Sequence, residues 1–202
     1  MKSMRQEEEI LEILREFPRK KSKPALIFSI RKKLSSFDPL IGEHSINVAA
    51  YAEQIGTQLG FSSDHNDSLV LAALLHDIGK VFIPPEILYK TSALNNQEWE
   101  VVKQHPYQGG NLLKPFGKLK GIISIILHHH EFYNGRGYPG EIAREEIPLY
   151  SRIITITDAY EAMTSGRPFR RGFSHREAVN RLKEGSGTQF DPYIVAQFIK
   201  RF

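Results

Sequence analysis

The sequence predicts an all-α fold, and three observations carry that prediction. Apolar residues return at three- and four-residue steps in one segment after another, as one face of a helix requires. No segment keeps the strict alternation of a half-buried strand, and no internal repeat interrupts the pattern. The 202 residues suffice for one well-buried core and a small appended segment.

Taken in order, residues 5–16 and the position after them place Ile10, Ile13, Leu14 and Phe17 at helical spacing. The acidic run Glu7 to Glu9 ahead of them suits a helix N-terminus. The stretch Pro18 to Pro24, with Arg19, Lys20, Lys21 and Lys23, reads as a solvated linker, and Leu26, Ile27, Ile30 and Leu34 mark a second helix. A steadier pattern follows, with His44, Val48, Tyr51, Ala52, Ile55 and Leu59 on one stripe that ends at Gly60. Asp67 is the expected N-cap of the next helix, whose apolar run Leu69 to Leu75 leads into His76 and Asp77 before Gly79 closes it.

Pro84 and Pro85 mark a turn, and a helix from Asn96 to Lys103 should stop near His105 and Pro106. Gly121 to His130 reads as a buried helix running into His128, His129 and His130, followed by a loop with Asn134, Gly135, Gly137 and Pro139. Helices over Leu149–Ser165, Ser174–Glu184 and Asp191–Phe202 complete the chain. Residues 1–37 thus form a helical extension and basic linker, and residues 38–202 the main domain.

Composition narrows the function. Hydrophobic residues make up 41% of the chain, and no apolar run approaches the roughly 20 residues that span a bilayer. The segment after Met1 lacks the apolar centre of a secretory signal, so cytoplasmic residence and no membrane insertion are expected. With no cysteine, any metal must be held by histidine, carboxylate or water. The formal charge of +4 suits an anionic partner.

The chemistry is signalled by where the histidines sit. His44, His76, His105 and the group His128 to His130 each lie on or at the end of an apolar helix, as do Asp77 and Asp158. A buried carboxylate without a partner costs several kcal/mol, and the helix ending at Asp77 offers no lysine or arginine within its own turn. A divalent metal answers both facts, since imidazole and carboxylate together suit iron, manganese or zinc. Each residue also has a plainer reading: a lone core histidine for His44, a turn residue for His105. His65 and His175 lie in polar surroundings and read as surface residues. Successive helical positions point about 100° apart, so His128, His129 and His130 cannot all face one ion. His128 and Glu131 are left open.

Here the chain resembles a known family. His76-Asp77-Ile78-Gly79-Lys80 is similar to the signature of HD-domain phosphohydrolases, and Asn134-Gly135-Arg136-Gly137-Tyr138-Pro139 after His129-His130-Glu131 resembles the motif of the HD-GYP subfamily. Ile147-Pro148, Asp158-Ala159-Tyr160, Thr164-Ser165, Arg167-Pro168-Phe169-Arg170 and Gly187-Thr188-Gln189-Phe190-Asp191-Pro192 match in the same order. The resemblance covers about His44 to Pro192 and implies an HD-domain helical bundle that hydrolyses cyclic di-GMP. It implies metal ligands at His44, His76, Asp77, His105, His129, His130 and Asp158, with Asp77 bridging two ions. It gives Lys80 a substrate phosphate as partner and a catalytic role beside Asp77, and Tyr138, Arg167 and Arg170 substrate contacts.

Family members with a third metal carry a glutamate where this chain has Leu40, which favours two ions over three. Iron or manganese come first among the metals, with zinc, magnesium and nickel as further candidates. Two such ions roughly 3.5–4 Å apart would activate a water between them and neutralise the phosphoryl oxygens. The expected product is linear pGpG, or GMP if the second bond is also cut. Two alternatives stand beside this: an HD phosphohydrolase for another nucleotide, and a catalytically weak cyclic di-GMP receptor signalling through protein contacts. No nucleic-acid partner is expected; a second copy of the chain or a regulatory domain is a candidate partner.

Overall fold

The computed structural model describes residues 12, 14, 15, 22–34, 41–140, 142–166 and 171–202. Leu40, Arg167 and Arg170 lie outside the described residues, as do Pro18 and most of the first expected helix. The described helices are α1 (Lys23–Leu34), α2 (Gly42–Gln58), α3 (Ser63–Leu75), α4 (Pro85–Leu88), α5 (Asn96–Val102), α6 (His105–Leu113), α7 (Lys120–Leu127), α8 (Leu149–Thr164), α9 (His175–Glu184) and α10 (Pro192–Arg201). Short 3-10 turns span Ile78–Phe82, Gly117–Leu119 and Arg144–Glu146. Among the described residues there is one isolated β-bridge, Ser186 to Phe190, and no strand, so the fold is all-α.

Helix α3 is the hub because its last seven residues, Leu69 to Leu75, are all buried. A helix apolar on every side needs neighbours all round. It packs on α2, α1, α7 and α8. Helix α1 buries Leu26, Ile27, Ile30 and Leu34, joining the same core as Leu14. On the far side α2 packs against α8 and α10. Among the described residues, no helix is long and apolar enough to cross a membrane.

Several boundaries differ from expectation for local reasons. Helix α3 is capped by Ser62, whose hydroxyl accepts from the His65 amide, and it begins four residues before Asp67. Asp67 falls inside the first turns because Ser62 already satisfies an amide that a cap must satisfy. The basic segment ends earlier than expected, since Lys23 and Pro24 open α1, where proline's missing amide is harmless. Pro106 likewise starts α6 at its second position instead of only ending α5.

Candidate metal centre

The histidines arrive from four helix ends. Leu75 ends α3, so His76 and Asp77 follow as its last turn unwinds into the Ile78–Phe82 turn. His105 opens α6, and His129 and His130 follow α7, which stops at Leu127. His44 lies in the first turn of α2, and Asp158 lies mid-way along α8.

Gly79 brings the first two of these segments together. A Cβ there would sit 2.0 Å from the His105 carbonyl oxygen and 2.6 Å from the Gly109 amide nitrogen. Only a residue without a side chain lets the turn after Asp77 lie against the helix that carries His105. The glycine therefore permits close packing as well as ending a helix.

Among the described residues, two groups of side chains could each hold a metal ion: Asp77, His105, His129 and His130, and His44, His76 and Asp77. Asp77 belongs to both. Its Oδ1 lies 3.3 Å from His105 Nε2 and 3.9 Å from His129 Nε2, while its Oδ2 lies 3.6 Å from His44 Nε2 and 3.4 Å from His76 Nε2. Asp158 Oδ1 joins the second group at 3.0 Å from His44 Nε2 and 4.0 Å from His76 Nε2.

Hydrogen bonding fixes which nitrogen faces inward. Nδ1 of His76, His105 and His129 donates to the carbonyl three residues earlier, those of Ala73, Val102 and Ile126, at 2.7, 2.7 and 2.6 Å. A carbonyl can only accept, so in the neutral ring Nε2 is left as a bare lone pair. His105 Nε2 and His129 Nε2 then face each other at 3.3 Å with no proton to share, and His105 Nε2 faces Asp77 Oδ1 in the same way. Among the described residues, buried His76 Nε2 and Asp77 Oδ1 have no hydrogen-bond partner. Converging, unpaired lone pairs of nitrogen and oxygen repel one another until a cation lies between them, so these residues fit divalent ions.

Electrostatics agrees. Burial, together with the neighbouring His105, pushes His130 down to about 3, and burial holds His129 well below its ordinary value. His76 is lowered by burial too. All three are neutral donors at pH 7. Asp77 stays ionised against the upward push of burial, mainly through the ammonium of Lys80.

His44 behaves differently. Burial works against its charge, but Asp158 and Glu161 outweigh burial and push it up to about 10. Glu161, unread in the sequence, accepts from His44 Nδ1 at 2.5 Å and also from Asn47 and Ser165. The available signal was its position three residues after Asp158 on one apolar helix, which stacks both acids on the same face.

The remaining residues divide plainly. Lys80 Nζ is paired with Asp77 Oδ2, so the shared carboxylate does have a cation three residues on, against the expectation of none within its own turn; its two oxygens nevertheless face four imidazoles as well. Tyr138 stacks on His130 with ring centroids 4.8 Å apart and planes at 26°. His128 does not join either group; its Nδ1 bonds the Ser124 carbonyl at 2.7 Å. Glu131 is buried and accepts from the Gly140 amide at 2.5 Å, closing the loop that carries Tyr138. His65 and His175 are exposed, as expected.

That loop explains a distant motif. Amides of Tyr133 and Asn134 donate to the carbonyls of Gln189 and Thr188, and Asp191 caps α10 while pairing with Arg152 at 2.5 Å. Gly135 takes a left-handed φ of 79°. Gly137 does not; a Cβ there would lie 2.2 Å from the Phe132 amide nitrogen, so contact rather than conformational freedom excludes a side chain.

A helical bundle that gathers buried imidazoles around one carboxylate is a fold whose centre can hold divalent cations. A family model described as HD domain matches residues 29–194, and the chain belongs to that family. It is 36% identical over 177 residues, 87% of its length, to a cyclic di-GMP phosphodiesterase of Pseudomonas aeruginosa. It is 33% identical over 175 residues, again 87% of its length, to a 3'3'-cGAMP-specific phosphodiesterase of Vibrio cholerae. The chain spans 42% and 38% of those relatives' own lengths. An HDG"Y"P protein from Bdellovibrio bacteriovorus shares the fold, with a TM-score of 0.71 at 18% identity, covering 98% of this chain and 69% of that one.

Proposed function

We propose that this chain is a metal-dependent phosphodiesterase that hydrolyses cyclic di-GMP to linear pGpG, and on to GMP if the second bond is cut. One observation carries the reading: Asp77 turns one oxygen toward His44 and His76 and the other toward His105 and His129. A carboxylate shared by two ligand sets is what a two-ion site requires.

His44, His76, Asp77 and Asp158 would hold one ion, and Asp77, His105, His129 and His130 the other. Iron or manganese suits this nitrogen and oxygen donor set without sulfur. When bound, the pair supplies Lewis acidity and an activated water at neutral pH. The chain's own residues do the rest. The backbone carbonyls of Ala73, Val102 and Ile126 keep three Nε2 atoms free of protons and aimed inward. Lys80, a quarter exposed beside Asp77, offers an ammonium to a phosphate at the rim. Tyr138, stacked on His130, walls the site and limits water. Arg167 and Arg170 are proposed to add further phosphate contacts.

We take residues 38–202 as the catalytic unit, with 1–37 as its helical extension, and cytoplasmic residence as the fitting location. The test is turnover of cyclic di-GMP by protein loaded with iron or manganese, with pGpG as expected product. Metal-loaded protein that leaves cyclic di-GMP intact while cleaving other phosphate esters overturns the assignment. The relatives specific for 3'3'-cGAMP make that dinucleotide the second substrate to measure.

A further inference from the structure

Next to Tyr138 lies a pocket of about 290 Å³ lined by Asn96, Trp99, Glu100, Lys103 and Tyr138. We propose that it holds one guanine base of the substrate, an inference that rests on the cyclic di-GMP reading above. The volume is at the small end for ligand pockets, fitting one base with its sugar and not a whole cyclic dinucleotide.

The four residues from α5 and its end stand at spacings of three, one and three, so they form one stripe on one helix face. The helix is held at both ends. Asn95 and Glu98 cap its start reciprocally, and Lys90 pairs with Glu98 at 2.6 Å. At the other end the Val102 carbonyl accepts from His105 Nδ1, so the stripe is tied to a candidate metal ligand. Tyr138 is the second tie, since it lines the pocket and also stacks on His130.

The chemistry of the lining selects the base. Trp99 is 46% exposed, an indole of the kind on which a purine stacks. Glu100 and Lys103 are paired at 2.7 Å on the same stripe, so an acceptor and a donor stand side by side. Guanine presents both complements: N1–H and the N2 amino group donate to a carboxylate, while O6 and N7 accept from an ammonium. Adenine has a lone pair at N1, which a carboxylate repels.

Trp99 is the chain's single tryptophan, so intrinsic fluorescence reports on this pocket directly. The full chain would be titrated with GMP, AMP and ribose 5-phosphate. GMP should quench the fluorescence and bind roughly 10-fold tighter than AMP, and ribose 5-phosphate should leave it unchanged. Glu100→Gln should narrow the GMP preference. Trp99→Ala should raise the KM for cyclic di-GMP roughly 10-fold, with Trp99→Phe restoring most of it, and the wild type is also assayed on the nitrophenyl ester bis(p-nitrophenyl) phosphate, which carries no base. Equal quenching by GMP and AMP, no quenching, or an unchanged KM in a wild type that does cleave cyclic di-GMP overturns the base assignment alone. A wild type that cleaves only the nitrophenyl ester removes the substrate reading itself.

Discussion

The two halves of the metal centre share Asp77 and differ in almost everything else. Around His44 there are three carboxylates, those of Asp77, Asp158 and Glu161, and they keep its imidazole charged. Among the described residues one carboxylate, that of Asp77, pairs with His129, and burial keeps the rings of His129 and His130 neutral although Asp77 and Asp158 both act on His130. One half therefore offers negative charge that a proton now partly offsets, and the other offers neutral lone pairs. A cation entering the first must displace a proton from His44, whereas a cation entering the second displaces none.

The largest expected effect removes what the halves have in common. Asp77→Asn should cut cyclic di-GMP turnover by about 10³-fold or more and lower metal content in both halves. Elemental analysis of the purified variant checks it, and retention of one full ion would show that the halves do not depend on the shared carboxylate.

Gly79→Ala comes next. Its Cβ would collide with the backbone at His105 and Gly109, so Asp77 and His105 would be forced apart. Overpacking against backbone should cost about 3 kcal/mol, read as a lower denaturant midpoint in metal-free protein. An unchanged midpoint would mean that the turn after Asp77 adapts easily.

Glu161→Gln separates the halves. It removes the carboxylate that accepts the hydrogen bond from His44 Nδ1 and leaves the His105, His129 and His130 side untouched. Loss of such an orienting partner lowers metal affinity or activity by about 10–100-fold. One ion should weaken while the other keeps its affinity. Equal weakening of both would dissolve the distinction drawn between them.

The same contrast explains what was legible in the sequence. Helices were legible because burial repeats with the helical period, and His76-Asp77 at the end of an apolar run announced a buried carboxylate in need of a cation. Convergence of the ends of α2, α3, α6 and α7 on the middle of α8 could be anticipated only through resemblance, since spacing along one helix says nothing of where another helix ends. Glu161 stands just beyond the matching run Asp158-Ala159-Tyr160, so only its three-residue spacing from Asp158 marks it. Lys80 pairs with Asp77, three residues away, a partner that the resemblance did not point to and the i,i+3 spacing allows. Trp99 drew no attention because the polar residues about it signal only a solvated face; the pocket exists through Tyr138, 39 positions further along.

The smallest effect is the most diagnostic of the asymmetry, and it is read in metal-free protein. His44 has a folded pKa of about 10 against an ordinary 6.5, so its stabilising charge is fully present below pH 6.5 and is lost as pH rises toward 10. His130 has a folded pKa of about 3, so below pH 6.5 the unfolded chain binds the proton that the folded chain refuses, and stability falls as pH drops. Opposite slopes on the two sides of pH 6.5 make a maximum there in the thermal midpoint of chelator-treated protein. His44→Gln should flatten the alkaline limb and leave the acid limb standing, because only the carboxylate-rich half gives the proton a partner. A midpoint that changes in one direction across the whole range would mean that His44 carries no charge, and the two halves would then be electrostatically alike.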